Sequence, residues 1–515
     1  MEVIGQTHLG RNDANMLAEL RKDKSWALLS IAFSCAAVWP LFGTSFIPLH
    51  DLPDHVGLAA LAWDIMEPGT LASQEFSLQA YPVPYWTLYL FIALFSPVIG
   101  SLWAAKIFVG MSVLCLPWGV MRLLWALRKD PRIGLLSFLL VWDFNLSWGF
   151  VAYHFGVGLV FWALSALVRA NHWRDLLKVV PFFIIGALTH AQSYGILVLA
   201  ALCLLPVFSD RKERVPLFLG ALFLGGAPLL PWLWIRATSG GGKGVPKLWA
   251  RFHGIGEKFK NLFDYTVDIL PNKTNPHLPG LVLLFFLVAA LALLLLPQKK
   301  DDAPPLAGPV MVGLGITLYF VMPHALLWPI EQWLIYDRHA TFLLLTLLFL
   351  PGLCLAPGRN LVLCGALIIQ MYWMGTLHES YAAFGARAEP FKKIIEAVPE
   401  NQAIVMVTLN DNDPSVKRSP YNQFHAYVVA EKGGYDPYLF DNKSHPVVHR
   451  QRHKWPRPNW RQMSRFTMKA HGKHYDYIIV QGLKRDPIQK HQNTPELSVE
   501  QVVEAGRWRL YKVNR

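Results

Sequence analysis

Four ionisable side chains stand within six positions in His50-Asp51-Leu52-Pro53-Asp54-His55. They follow the first long apolar run, residues 26–47, where a membrane helix would emerge. Charges at such a point are costly near lipid, so they mark a function by default. A carboxylate there can take a proton from a hydroxyl, and a neighbouring acid or imidazole can orient it. A solvated turn made by Pro48 and Pro53 is the plainer alternative. Against it, residues 56–66 are apolar with helical spacing, which predicts a short helix along the interface with the acids at its N-terminal end. Asp51 and Asp54, three residues apart, then point the same way.

Further polar residues recur at the ends of apolar runs. Asp143, Asn145 and His154 surround a Trp148-Gly149 break, His190 and Gln192 separate two runs, and Asp337-Arg338-His339 opens another. A lone histidine such as His154 is ordinarily a packed, hydrogen-bonded residue. Arg338 is more pointed, because an arginine at the outer end of a membrane helix opposes the usual placement of positive charge. Either Asp337 or Glu331 pairs with it, or it holds an anion. Lys243, Lys247 and Arg251 lie in the long polar loop 236–277 and are secondary anion candidates, although loop cations near a membrane also bind anionic headgroups.

These residues need a scaffold, and the composition indicates which. The chain has 515 residues, 53% hydrophobic and only 16% charged, with a mean hydropathy of +0.30. Soluble domains carry about 25% charged residues. The apolar residues cluster into runs of roughly 17–25, enough to cross a hydrocarbon core about 30 Å thick. Many of the 20 tryptophans fall at run ends, as in an interfacial belt. The expected fold is therefore mainly α: a polytopic transmembrane helix bundle over residues 26–377 with about 11 spans. A basic cytoplasmic tail, residues 1–25, precedes it, and the run that follows reads as a retained signal-anchor. The loop 48–80 carries the acids.

Short basic turns belong in the cytoplasm. Placing residues 128–132, 169–178, 210–214, 299–300 and Arg359 there sends the Asp51 loop, residues 145–149 and 190–193, loops 236–277 and 328–338 and the C-terminal part to the other side. That arrangement requires residues 81–97 to be re-entrant or interfacial. From residue 378 the hydropathy falls and a soluble extracytoplasmic α/β domain, 378–515, is expected. Residues 403–409 and 477–480 read as buried strands, 391–397 and 422–431 as helices, and 508–513 as a closing edge strand. This domain holds the larger share of the net charge of +13. Its stretch 445–474, rich in Arg, His, Lys and Trp, is either a solvated face or a surface for an acidic glycan or headgroups. All five cysteines fall in apolar runs, so no disulfide or zinc framework is implied. No Gly-rich phosphate loop and no internal repeat stand out, and no nucleic-acid partner is expected.

An acid just past the first membrane helix, in a loop with interfacial helices, followed by many spans and an extracytoplasmic C-terminal domain, resembles the GT-C superfamily of membrane glycosyltransferases. That superfamily includes the protein O-mannosyltransferases and the lipid A aminoarabinose transferases. Asp51-Leu52-Pro53-Asp54-His55 is similar to the Asp-x-Pro-Asn-His form of uncharacterised bacterial members. Asp51 matches their first-loop acid, Asp54 stands where they have Asn, and the Asp-Glu pair of the two named groups is absent. The resemblance implies an enzyme of the plasma (inner) membrane that moves a sugar from a polyprenyl-phosphate-linked donor to a glycan, lipid or protein acceptor in the cell envelope. Asp51 is then the base, with Asp54 and His55 orienting it or the acceptor. Arg338 clamps the phosphate, and His190, Gln192, His154 and Lys243 are further binding candidates. No metal site is expected, although a divalent cation at Asp51 and Asp54 is compatible with the chemistry.

Two other classes make different demands. A transporter or lipid flippase needs ionisable residues near helix midpoints and two similar halves; Lys106 and Arg122 are the nearest midpoint charges. An assembly protein for cell-envelope polysaccharide, working through its basic C-terminal domain, leaves the Asp51 cluster idle.

Overall fold

In the computed structural model, most of the apolar runs become helices. The structure describes residues 16, 20–21, 23–208, 214–239, 249–271, 275–299, 304–327, 332–354, 356–440, 444–451, 455–482, 486–489 and 498–514. Lys243, Lys247 and Glu331 lie outside these residues. Among the described residues seven helices are long and apolar enough to cross a membrane: Lys24–Gly43, Ser101–Ala126, Val151–Arg169, Ala191–Phe208, Arg214–Thr238, Leu278–Leu295 and Pro357–Ala388. The chain is a multi-pass helical membrane protein. The other expected crossings fall on short or broken helices. Residues 131–140 form a buried 3₁₀ helix behind Pro131 rather than an α-helical span, and a helix of that length is too short to cross alone at 1.5 Å per residue or slightly more. The run that begins near residue 306 stops as a helix at Phe320, because the chain then pairs in a small sheet.

The elements that carry the site can be named in chain order. They are α1 (Lys24–Val38), α2 (Leu52–Ala60), α3 (Trp86–Ile99), α4 (Ser101–Ala126), α5 (Val151–Arg169), α6 (Leu176–Thr189) and α7 (Ala191–Leu204). Then come α8 (Leu230–Ser239), α9 (Ile255–Asp264), α10 (Ala307–Phe320), α11 (His339–Thr346), α12 (Ala356–Ala388) and α13 (His425–Lys432). The two ends of the bundle are distinguished by what meets there. Asp23 at the start of α1 pairs with Arg132, and Arg359 at the start of α12 pairs with Asp130 at 2.7 Å. The basic turns at 128–132 and 359 therefore share one end. At the far end of α1, the Asp51 loop meets residues 147–148 and the C-terminal domain.

That domain begins on the continuation of α12, which runs through residue 378 to Ala388. A three-stranded antiparallel sheet lies apart from it, in order β1 (Ala250–Arg251), β2 (Ala325–Leu326), β3 (Gln332–Trp333). The domain's own sheet has four strands: β4 (Ile404–Thr408), β5 (Tyr477–Gln481), β6 (Val499–Ala505) and β7 (Trp508–Val513), in spatial order β6-β7-β5-β4. Strands β4 and β5 are parallel, with Val405 opposite Ile478, and the other pairs are antiparallel. Residues 508–513 are thus an interior strand, not the expected edge. The edges are β4 and β6, and in β6 the water-facing Glu500, Gln501 and Glu504 interrupt the apolar pattern that betrays a strand.

The domain docks directly on the first loop. Phe46 packs against Phe424 with centroids 5.3 Å apart, and Phe424 stacks on Trp508 at 6.0 Å. Helices α2 and α13 approach so closely that a Cβ on Gly57 would lie 2.8 Å from the Ala426 carbonyl oxygen.

Candidate functional site

Asp51 occupies the N-cap position of α2, where Pro53 at the first turn pre-sets the helix. Its backbone N–H donates to the Trp148 carbonyl at 2.9 Å, and that of His50 to Ser147 at 3.2 Å. This docking requires a glycine next door. Gly149 is left-handed (φ 84°), and a Cβ there would come within 2.5 Å of the Asp51 nitrogen. The Asp51 carboxyl retains 19% exposure, and its Oδ1 accepts a 3.0 Å hydrogen bond from Gln423 Nε2 of the C-terminal domain. Burial pushes this carboxyl up, and His50, the Gln423 bond and Arg338 draw it back down. A base must be ionised to act, so activity present above that raised pKa is lost as pH falls through it. Gln423→Leu removes a bond that favours the ionised form. The acid limb of kcat/KM should then move up by about one to two pH units, given about 1.5–3 kcal/mol for a bond to a charge. A pH–rate profile with the limb in its wild-type place would show that this bond does not tune Asp51.

Arg338 sits at the N-cap position of α11. Its carbonyl is held by Asn145 Nδ2 at 3.2 Å and by the Tyr153 hydroxyl at 3.1 Å. Asn145 and Thr341 both donate to Asp143 Oδ2, at 2.8 and 2.6 Å, while Asp143 Oδ1 accepts from the Leu146 N–H. Buried Asp143 thereby ties the segment that holds Asp51 to the helix that holds Arg338. The guanidinium carbon lies 3.8 Å from the centroid of the Phe150 ring, a cation–π seat. Its Nη1 meets His190 Nε2 at 3.4 Å, and its Nε is buried without a hydrogen-bond partner. Of the two ion pairs the sequence left open for Arg338, that with Asp337 does not form, since Asp337 bonds to His324 at 2.9 Å instead. Among the described residues no carboxylate pairs with Arg338.

Aromatic rings fill the space around these two groups. Tyr85 is interposed between His55 (centroids 5.2 Å, stacked), His190 (5.2 Å) and His445 (4.7 Å), with its hydroxyl against Arg338. It holds a left-handed backbone (φ 73°) that a bulky aromatic residue rarely adopts, and such strain persists where the surroundings impose it. Gln192 bonds to the Ile335 carbonyl at 2.8 Å and to His339 Nε2 at 3.0 Å, supporting the loop before Arg338. His154 bonds to Ser112 at 2.8 Å inside the bundle, a packing role. Lys243 lies outside the described residues.

Asp54 is deeper, at 1% exposure. His425 stands between it and Asp436, at 3.8 Å from Asp54 and 3.3 Å from Asp436. Burial holds the Asp54 carboxyl well above the usual range, helped by repulsion from Asp51 and Asp436. It pushes Asp436 up to about 7 and His425 down to about 3. Water reaches Asp51 and not Asp54. Asp54 and His55 are thus set apart from the exposed acid, His55 within a ring cluster and Asp54 in a buried one.

The sequence reading missed Tyr85, Gln423, His425, Asp436 and Arg418. The last contributes a second guanidinium near the loop, 5.0 Å from the Trp148 ring and 5.1 Å from Phe144. It also placed His445 on a solvated or ligand-binding stretch, whereas the side chain is buried between His55 and Tyr85. Among the described residues no group of three or more His, Cys, Asp or Glu side chains is arranged to hold a metal ion.

No family model matches the chain, and no curated protein matches it. Among solved structures it is similar to the arabinofuranosyltransferase AftD from mycobacteria, determined by single-particle cryo-EM. The identity is 14% and the TM-score 0.48, over 95% of this chain and 40% of that one. The chain thus spans well under two thirds of that protein. A likeness at this level assigns no activity.

Proposed function

We propose that the protein is an integral membrane glycosyltransferase that moves a sugar from a polyprenyl-phosphate carrier to an acceptor outside the cytoplasm. The observation that carries this reading is the nearness of a partly exposed carboxylate, Asp51, to Arg338, with which no carboxylate among the described residues forms an ion pair. Sugar transfer from phosphate to a hydroxyl needs those two functions. Asp51 takes the acceptor's proton as the new glycosidic bond forms. Arg338 meets the charge that collects on the departing phosphate. Its place at the start of α11 supports this, because a cation there opposes the helix dipole while an anion is favoured. The basic turns gathered at the other end of the bundle support a cytoplasmic assignment for that end and an extracytoplasmic C-terminal domain. Reporter fusions to the C-terminus should be active only when exported.

Asp54 is assigned a supporting part. Asp54→Asn replaces a buried carboxyl whose ionised form the dry pocket disfavours, so turnover should fall by less than about tenfold, below the usual loss of a general base. Tm should hold or rise. If Asp54→Asn is dead while Asp51→Asn is active, the two roles must be exchanged. The activity itself is tested with purified protein, labelled polyprenyl-phosphate sugars and membrane extract as acceptor. Label should leave the carrier and polyprenyl phosphate should accumulate. A carrier left intact with every sugar and acceptor fraction would overturn the reading.

A further inference from the structure

The loop between α8 and the helix at Leu278 carries a feature the proposed chemistry does not use. Helix α9 is amphipathic, and its apolar side faces outward: Ile255 is 64% and Phe259 63% exposed. Trp249 and Phe252, just before it, are 59% and 64% exposed. The helix is nonetheless rigidly seated. Buried Lys258 donates to the Phe320 and Met322 carbonyls at the end of α10, at 3.1 and 2.7 Å, closing that helix. The Phe259 ring lies 4.7 Å from that of Phe320. Beyond it, Ile316 and Val321 continue the exposed apolar surface along the α10 segment. The exposed cations Arg251 and Lys260 flank these apolar residues along the chain.

We infer that α9 and the residues leading into it lie in the outer membrane interface, with Ile255 and Phe259 inserted among the lipids and the cations at the headgroups. A continuous apolar surface running from a membrane helix onto an amphipathic one is what a bilayer boundary covers. The insertion also has a destination. Strand β1 pairs with β2 and β2 with β3, and the Arg251 guanidinium lies 5.1 Å from the Trp333 ring. The Trp333 carbonyl accepts from Arg338 Nη2 at 3.5 Å. The seat in the lipid is therefore joined through one small sheet to the phosphate-holding residue. Resting on the glycosyltransferase reading, α9 is the surface along which a lipid-borne donor reaches Arg338.

The test uses the full chain in nanodiscs of phosphatidylcholine doped with phosphatidylglycerol, its native cysteines replaced by alanine. Nitroxides are placed singly at Ile255→Cys, Glu257→Cys, Phe259→Cys and Lys260→Cys. Relaxation by oxygen against a water-soluble nickel chelate should place 255 and 259 inside the lipid boundary and 257 and 260 in water. All four in water, or 255 and 259 shielded from both relaxants as in a protein contact, would overturn the lipid seat whatever the enzyme does. For the coupling, Ile255→Ser with Phe259→Ser should raise KM for a long-chain donor about tenfold, a fraction of what two inserted apolar side chains contribute. KM for a short-chain, water-soluble donor should not change. An equal rise for both donors, or none, would overturn the coupling.

Discussion

Asp51→Asn is expected to lose between about 10² and 10⁴ of turnover, the usual contribution of a general base, with the protein still folded in the membrane. Asn keeps the shape of the side chain and an oxygen for the Gln423 bond, so it removes basicity and little else. Stability should change by no more than about 1 kcal/mol, because no partner is left as a buried unpaired charge. Among the described residues Arg338 has no carboxylate ion pair to lose, and it keeps its ring seat on Phe150. The measurement is kcat at matched amounts of folded protein, together with Tm. Wild-type turnover in Asp51→Asn would remove the base from the account.

The second large effect is expected at Arg338. Arg338→Lys keeps the charge but loses the planar fork and the stacking surface over Phe150, so the substitution is not conservative here. A loss of about 10²–10³ in kcat is expected, as when one preorganised donor to a developing charge is removed. Arg338→Met should be at least as damaging, and it has a signature that a folding defect lacks. Without the guanidinium, one of the influences drawing the Asp51 carboxyl down is gone. The acid limb of the residual activity should therefore move to higher pH. Loss of activity with the limb unmoved and Tm sharply lower would mean that Arg338 serves the fold instead.

Part of this arrangement is legible in the sequence, and for a physical reason. Lipid penalises charge, so a membrane chain shows its polar positions against an apolar ground. Asp51 and Arg338 stood out for that reason, as did the helix that begins beside Asp51. The short and broken elements were harder. Residues 131–140 are as apolar as a span, yet their backbone is a 3₁₀ helix enclosed by the bundle, and hydropathy does not distinguish burial in protein from burial in lipid. Long-range partners left even less trace. Gln423 and His425 meet Asp51 and Asp54 only because α13 packs on α2, a contact between residues some 370 positions apart. Tyr85 gave no signal either, since a left-handed backbone at an aromatic residue reflects the surroundings and not its own preference. In the C-terminal domain, apolar content found β4 and β5, while the polar edge strand β6 passed unread.

The central claim is that Asp51 and Arg338 serve one reaction centre, the acid toward the acceptor and the arginine toward the carrier's phosphate. A cryo-EM structure of the full chain with polyprenyl phosphate bound tests it most directly. The phosphate is expected within hydrogen-bond distance of the Arg338 guanidinium, with the Asp51 carboxyl across the space where the sugar would lie. A phosphate seated elsewhere, with Arg338 making no contact to it, would contradict the account.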